Sequence, residues 1–77
     1  MPRASYVFLG RFEPASFAEF VRHRAARLAI AAEIGALGAE RIEVAVAGAE
    51  ELIEMFEMAC SLGPIDCVVL DVLRRPN

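Results

Sequence analysis

The sequence predicts an α+β domain whose elements run β-α-β-β-α-β, and three stretches carry that prediction. Ser5-Tyr6-Val7-Phe8-Leu9 is a β-branched and aromatic run that stops at Gly10, as a strand entering a turn does. Phe17, Phe20, Val21, Ala25, Leu28 and Ala29 recur at helical spacing. Glu40 to Ala47, ERIEVAVA, alternates with Ile42, Val44 and Val46 on one side, the period of a half-buried strand.

The remaining elements follow in order. Arg11 to Ala15 reads as a loop, because Pro14 interrupts regular pairing. Ser16-Phe17-Ala18-Glu19 has the form of a capping box, which starts the first helix at Ser16 and carries it to about Ala31. In that helix Arg24 falls on the apolar stripe, while Arg22, His23 and Arg27 fall outside it. Glu33 to Leu37 is a short strand broken by Gly35, and Gly38-Ala39 suits a tight hairpin into ERIEVAVA. Ala49 to Leu62 is a second helix with Leu52, Met55, Phe56, Ala59 and Cys60 as its stripe. Glu50, Glu51, Glu54 and Glu57 crowd its first turns, where the helix dipole favours anions. Gly63-Pro64 stops it. Ile65 to Leu73 is the last strand, before the polar tail Arg74-Arg75-Pro76-Asn77. Right-handed crossovers place both helices on one face of a four-stranded antiparallel sheet. One domain is expected over residues 1–77, with no linker or repeat.

Composition narrows the function. Eleven Asp and Glu face eight basic residues for a net charge of −3, so nonspecific nucleic-acid binding is not expected. Every basic side chain but His23 is Arg; Lys, Gln, Thr and Trp are absent, and Asn occurs only as Asn77. Two cysteines and one histidine offer no zinc spacing, and neither a metal nor a cofactor is expected. No apolar run reaches the roughly 18 residues of a membrane span. With Met1-Pro2-Arg3 leading straight into a strand and too few cysteines for a disulfide framework, a reduced, cytoplasmic protein is expected. Hydrophobic residues make up 57% of the chain, and the mean hydropathy is +0.46. A domain this small buries only about 60% of its unfolded surface, so another chain is expected to cover some of that apolar excess.

With these elements in place, the chain resembles the acylphosphatase family. Gly10-Arg11, Phe17 and Phe20-Val21 match in spacing its G-R-V-Q-G-V-G-F-R-x-x-V pattern. Glu43-Val44, Gly48 and Glu50-Glu51 match its V-E-V…G…E-E segment, and Gly63-Pro64 its G-P before the last strand. The resemblance implies a ferredoxin-like fold and hydrolysis of acyl phosphates by loop amides, one arginine and one water-positioning asparagine. The arginine falls at Ala18 and the asparagine at Ala36, neither of which carries a polar side chain. The loop also departs from the pattern: Pro14 removes an N–H, and Glu13 brings a negative charge toward the substrate's position. A catalytically degenerate relative acting as a small binding module is therefore expected. The alternative is a hydrolase of acyl phosphates with a weak anion-binding loop around Arg11, Ala15, Ser16 and Phe17, where the helix N-terminus offers amides to phosphate or sulfate.

The family match and the alternation assign Tyr6, Phe8, Ile42, Val44, Val46, Val68, Leu70 and Val72 to the helix side. Val7, Leu9, Ala45, Ala47, Cys67 and Val69 then point to the open face. That apolar set is expected to form a contact surface, most simply in a homodimer. Cys60 reads as core. His23 has no Ser or Cys one turn away to activate and reads as a solvated residue. Arg22, His23 and Arg27, with Arg24 at their edge, form a basic face that is either solvated or docks an acidic partner or nucleic acid.

Overall fold

A computed structural model describes residues 1–76 as β1 (Arg3–Arg11), α1 (Pro14–Leu28), β2 (Ala31–Leu37), β3 (Arg41–Ala47), α2 (Glu50–Leu62) and β4 (Val68–Pro76). Asn77, the end of the polar tail, lies outside the described residues. The four strands form one antiparallel sheet in the order β2-β3-β1-β4, the βαββαβ ferredoxin-like arrangement expected. Its core lies between the sheet and both helices. Tyr6 and Phe8 from β1, Ile42, Val44 and Val46 from β3, Phe17 and Val21 from α1, and Ile53, Phe56 and Cys60 from α2 are all buried there. Phe8, Phe12 and Phe17 meet in tilted and edge-on ring contacts at 4.9 to 5.3 Å, a favourable aromatic geometry.

Several boundaries differ from the sequence reading, each for a local reason. Helix α1 begins at Pro14, not Ser16: Glu13 is its N-cap, without a side-chain cap bond. Proline suits the first helical position, where its missing N–H would have no partner. The Ser16 hydroxyl, freed from capping, donates to Asp66 Oδ1 at 2.8 Å. The helix ends at Leu28 because Ala29 turns left-handed (φ 54°) and returns its N–H to the carbonyls of Ala25 and Ala26. The chain then enters β2 at Ala31, two residues before the expected Glu33. In α2 the buried stripe is Ile53, Phe56 and Cys60, and Met55 is 53% exposed. Strand β4 starts three residues later than expected, since the Cys67 N–H closes a turn onto Pro64 O and leaves Ile65 in solvent.

The parity of β4 is the consequential correction. Leu9 pairs with Asp71 but Gly10 with Val69, so Leu70 is an extra residue in a β-bulge. Upstream of it the faces invert. Cys67 is buried and Val69 packs against the core, while Val68 and Leu70 stand in solvent on the other side. Gly10 makes the close approach possible, because a Cβ there would collide with the Val68 carbonyl. Val72 keeps its expected place on the helix side.

Candidate functional site

The segment where the resemblance locates a phosphate cradle joins β1 to α1, and its geometry follows from what anchors it. Phe12 turns inward against Phe17, leaving Arg11 and Glu13 exposed on either side. The turn before β4 lies alongside, because Arg11 pairs with Val68. That proximity brings Asp66 and Cys67 to the loop.

Most amides of the loop are committed inside the protein. The N–H of Gly10 donates to Glu40 O, that of Phe12 to Ala39 O at 2.7 Å, and that of Phe17 to Glu13 O. The Glu13 N–H points at Cys67 Sγ, 3.4 Å away. Pro14 has none. Ala15 and Ser16 occupy the first turn of α1, where no helical carbonyl precedes them. A phosphate nest needs several converging amides, and these two are what the loop still presents.

Arg11, Phe12, Glu13, Ala39, Glu40 and Asp66 line an open cleft of about 440 Å³. Three carboxylates there oppose one guanidinium, an arrangement that repels an anion. The Cys67 thiol beneath the loop is pushed above its ordinary range, mainly by burial and further by the Asp66 carboxylate, against the pull of its hydrogen bond with the Glu13 backbone. It is protonated at neutral pH and a poor nucleophile. Among the described residues no cluster of His, Cys, Asp and Glu is close enough to hold a metal ion, and no helix is long and apolar enough to cross a membrane.

The structure therefore separates the residues singled out in the sequence. Arg11 lines the cleft, Ser16 on α1 reaches it only through its hydrogen bond to Asp66, Ala15 is exposed in the first turn of α1 without lining it, and Phe17 belongs to the core through its ring. Ala18 is 2% exposed, Ala36 lies in solvent on the irregular stretch of β2, and neither lines the cleft. His23 is in solvent, 3.7 Å from Glu19 one turn back, and Arg24 stacks over Phe20. Of the set expected on the open face, Val7, Leu9, Ala45 and Ala47 are there, whereas Cys67 and Val69 face the helices. Glu40 and Asp66 were missed in the sequence. Asp66 carried a signal, since a Gly-Pro-x-Asp turn before a strand paired with β1 must come near the β1 exit.

No protein-family model matches the chain, and no curated protein does. Solved structures do. The crystal structure of an acylphosphatase from Bacillus subtilis superposes with a TM-score of 0.91 at 22% identity, covering 100% of this chain and 86% of that one. An acylphosphatase from Coxiella burnetii superposes at 0.89 with 20% identity, covering 99% and 80%. The chain thus has the acylphosphatase fold from end to end.

Proposed function

We propose that this domain is an acylphosphatase-fold protein that does not turn over acyl phosphates and acts by contact with another protein chain, most simply a copy of itself. The acidic cleft carries this reading. A phosphoryl group about 4 Å from one carboxylate meets a repulsion on the order of 4 kcal/mol per unit charge at surface-like screening. The lining supplies three carboxylates and one arginine in return. Catalysis of phosphoryl transfer is almost wholly charge stabilisation and positioning, and Ala18 and Ala36 supply neither. The two free thiols fit a reducing compartment, and a cytoplasmic location is part of the proposal.

The shared fold and the Arg11 guanidinium in the cleft favour the second reading, a weak acyl phosphate hydrolase. Incubation with acetyl or benzoyl phosphate separates the two. The expected result is hydrolysis at the rate of the buffer blank for both the native chain and Arg11→Ala. Turnover above the blank that Arg11→Ala abolishes would establish the hydrolase.

The open face is more charged than the sequence suggested. The cross-strand pairs place Arg3, Glu33, Arg41, Glu43, Asp71 and Arg75 on it beside Val7, Leu9, Ala45 and Ala47. A dry sheet-on-sheet contact would bury those charges at high cost. The contact is therefore better sought where apolar and charged groups alternate in a way that a second chain could match.

A further inference from the structure

The open edge of β4 meets that description. The Gly10 and Phe12 N–H groups donate toward the β3 side, so the even-numbered residues of β1 face β3 and the odd-numbered ones face β4. Asp71, Leu73 and Arg75 are the partners of Leu9, Val7 and Ser5, and their backbone groups are therefore used within the sheet. Those of Val72 and Arg74 point out of it. The Val72 N–H is covered by Asp71 Oδ1 at 2.9 Å, a carboxylate blunting an unpaired edge.

We propose that β4 pairs with β4 of a second copy, antiparallel, about a two-fold axis through Leu73. Three observations select the occupant and the register. First, the exposed outer residues Asp71, Leu73 and Arg75 are self-complementary about Leu73. That register sets Asp71 opposite Arg75 of the second copy twice over and Leu73 against itself. An axis at Val72 would set Asp71 opposite Leu73, and one at Asp71 would oppose two carboxylates. Second, the same register opposes Val72 to Arg74, the residues whose backbone groups face outward, so each pair exchanges N–H···O bonds. Third, the cross-strand neighbours of Asp71 and Arg75 within the chain are Leu9 and Ser5, which offer neither an opposite charge. Pairing exchanges the Asp71 cap on Val72 for a backbone acceptor and gives the carboxylate a guanidinium. The two sheets become one, with all four helices on the same side.

The inference rests on the reading of this domain as a binding module only in giving that module its partner. Acyl phosphate turnover decides the reading, whereas molecular mass decides whether the pair forms and the charge reversals decide its register. Light scattering or sedimentation at micromolar concentration should show a dimer of the 8.4 kDa chain that weakens as salt rises. Asp71→Arg and Arg75→Asp should each weaken self-association by about tenfold or more, since two attractive pairs become repulsive. An equimolar mixture of the two variants should restore the dimer, because each then supplies the charge the other needs. A strict monomer, a dimer indifferent to both reversals, or a mixture no better than its components would each overturn the proposal. Should either reversal unfold the chain, persistence of the native dimer unchanged at high salt would overturn it equally.

Discussion

On the helix side of the sheet Tyr6, Phe8, Ile42 and Val44 are at most 2% exposed, whereas on the opposite face Arg41, Ala45 and Arg75 stand in solvent and Val7 is the one buried residue that β1 places there. The first set is fixed by packing with both helices. The second is a layer of alternating charges and short apolar side chains that no layer of the described residues covers. Because the two sets interleave residue by residue, a single step in sequence moves a side chain from one regime to the other. At the β4 bulge the step is Val69 to Leu70: Val69 packs against the core, and Leu70 is 72% exposed. A carboxylate placed at each should therefore have very different effects. Val69→Glu pushes a charge toward Phe17 and the end of α2 near Gly63 and should cost about 2 to 3 kcal/mol. Leu70→Glu should stay within about 0.5 kcal/mol. Urea unfolding of the two variants checks this. Equal losses would mean that the bulge does not set the parity of β4.

That parity is where the sequence ceased to be readable. The fold was legible because its signals are periodic: ERIEVAVA alternates, and the Phe17–Val21–Ala25 stripe has helical spacing. A bulge adds one residue without disturbing composition, so Val68 to Val72 reads as an uninterrupted apolar strand of either parity. Without the bulge Cys67 and Val69 read as outward-facing, and with it they face the helices. The start of α1 failed for a different reason. Pro14 serves equally as a loop breaker or a first helical residue, and the Ser16–Glu19 spacing favoured the first option. At the cleft, Arg11 and Glu13 were legible as near neighbours in sequence. Asp66 and Glu40 arrive by strand pairing, which no local pattern records.

The contrast between the faces also has a pH signature, because the groups that packing disturbs lie on the helix side. Burial pushes the Cys60 thiol from its ordinary 9.0 up to about 12, against a small opposing pull from Arg24. It pushes the Cys67 thiol up as well, and drives Tyr6, beside Glu57, far above 10.0. All three are neutral when protonated, and the folded state holds their protons more tightly. Their contribution is complete below pH 9, where both folded and unfolded chains are protonated. It is lost as pH rises toward 12, because the unfolded chain ionises first. Each such group contributes a slope of about 1.4 kcal/mol per pH unit in its window. The urea midpoint should therefore fall steadily above pH 9, and more shallowly in Cys60→Ala, whose stability is lower at neutral pH. Parallel slopes in the two proteins would show that the Cys60 thiol ionises freely in the folded state.

The smallest effect concerns β2, the strand least supported by either face. Apart from Ile34, every residue of β2 is exposed; what holds its start is Ile30, buried against Gly48. Ile30 reaches that position because Ala29 ends α1 in the left-handed region, at φ 54° and ψ 39°, a conformation that costs a residue with a Cβ about 1 kcal/mol. Helix α2 ends at the equivalent place with Gly63, at φ 68°, where the cost is absent. Ala29→Gly should relieve the strain at the first site. Glycine loses more chain entropy on folding, so the net gain should be about 0.5 kcal/mol, a rise of roughly 2 to 4 °C in Tm for a domain this size. Gly63→Ala should move Tm the other way by at least as much. If Ala29→Gly lowered Tm instead, the entropy of the unfolded chain would outweigh the left-handed strain, and the α1 terminus would owe its geometry to Ile30 packing alone.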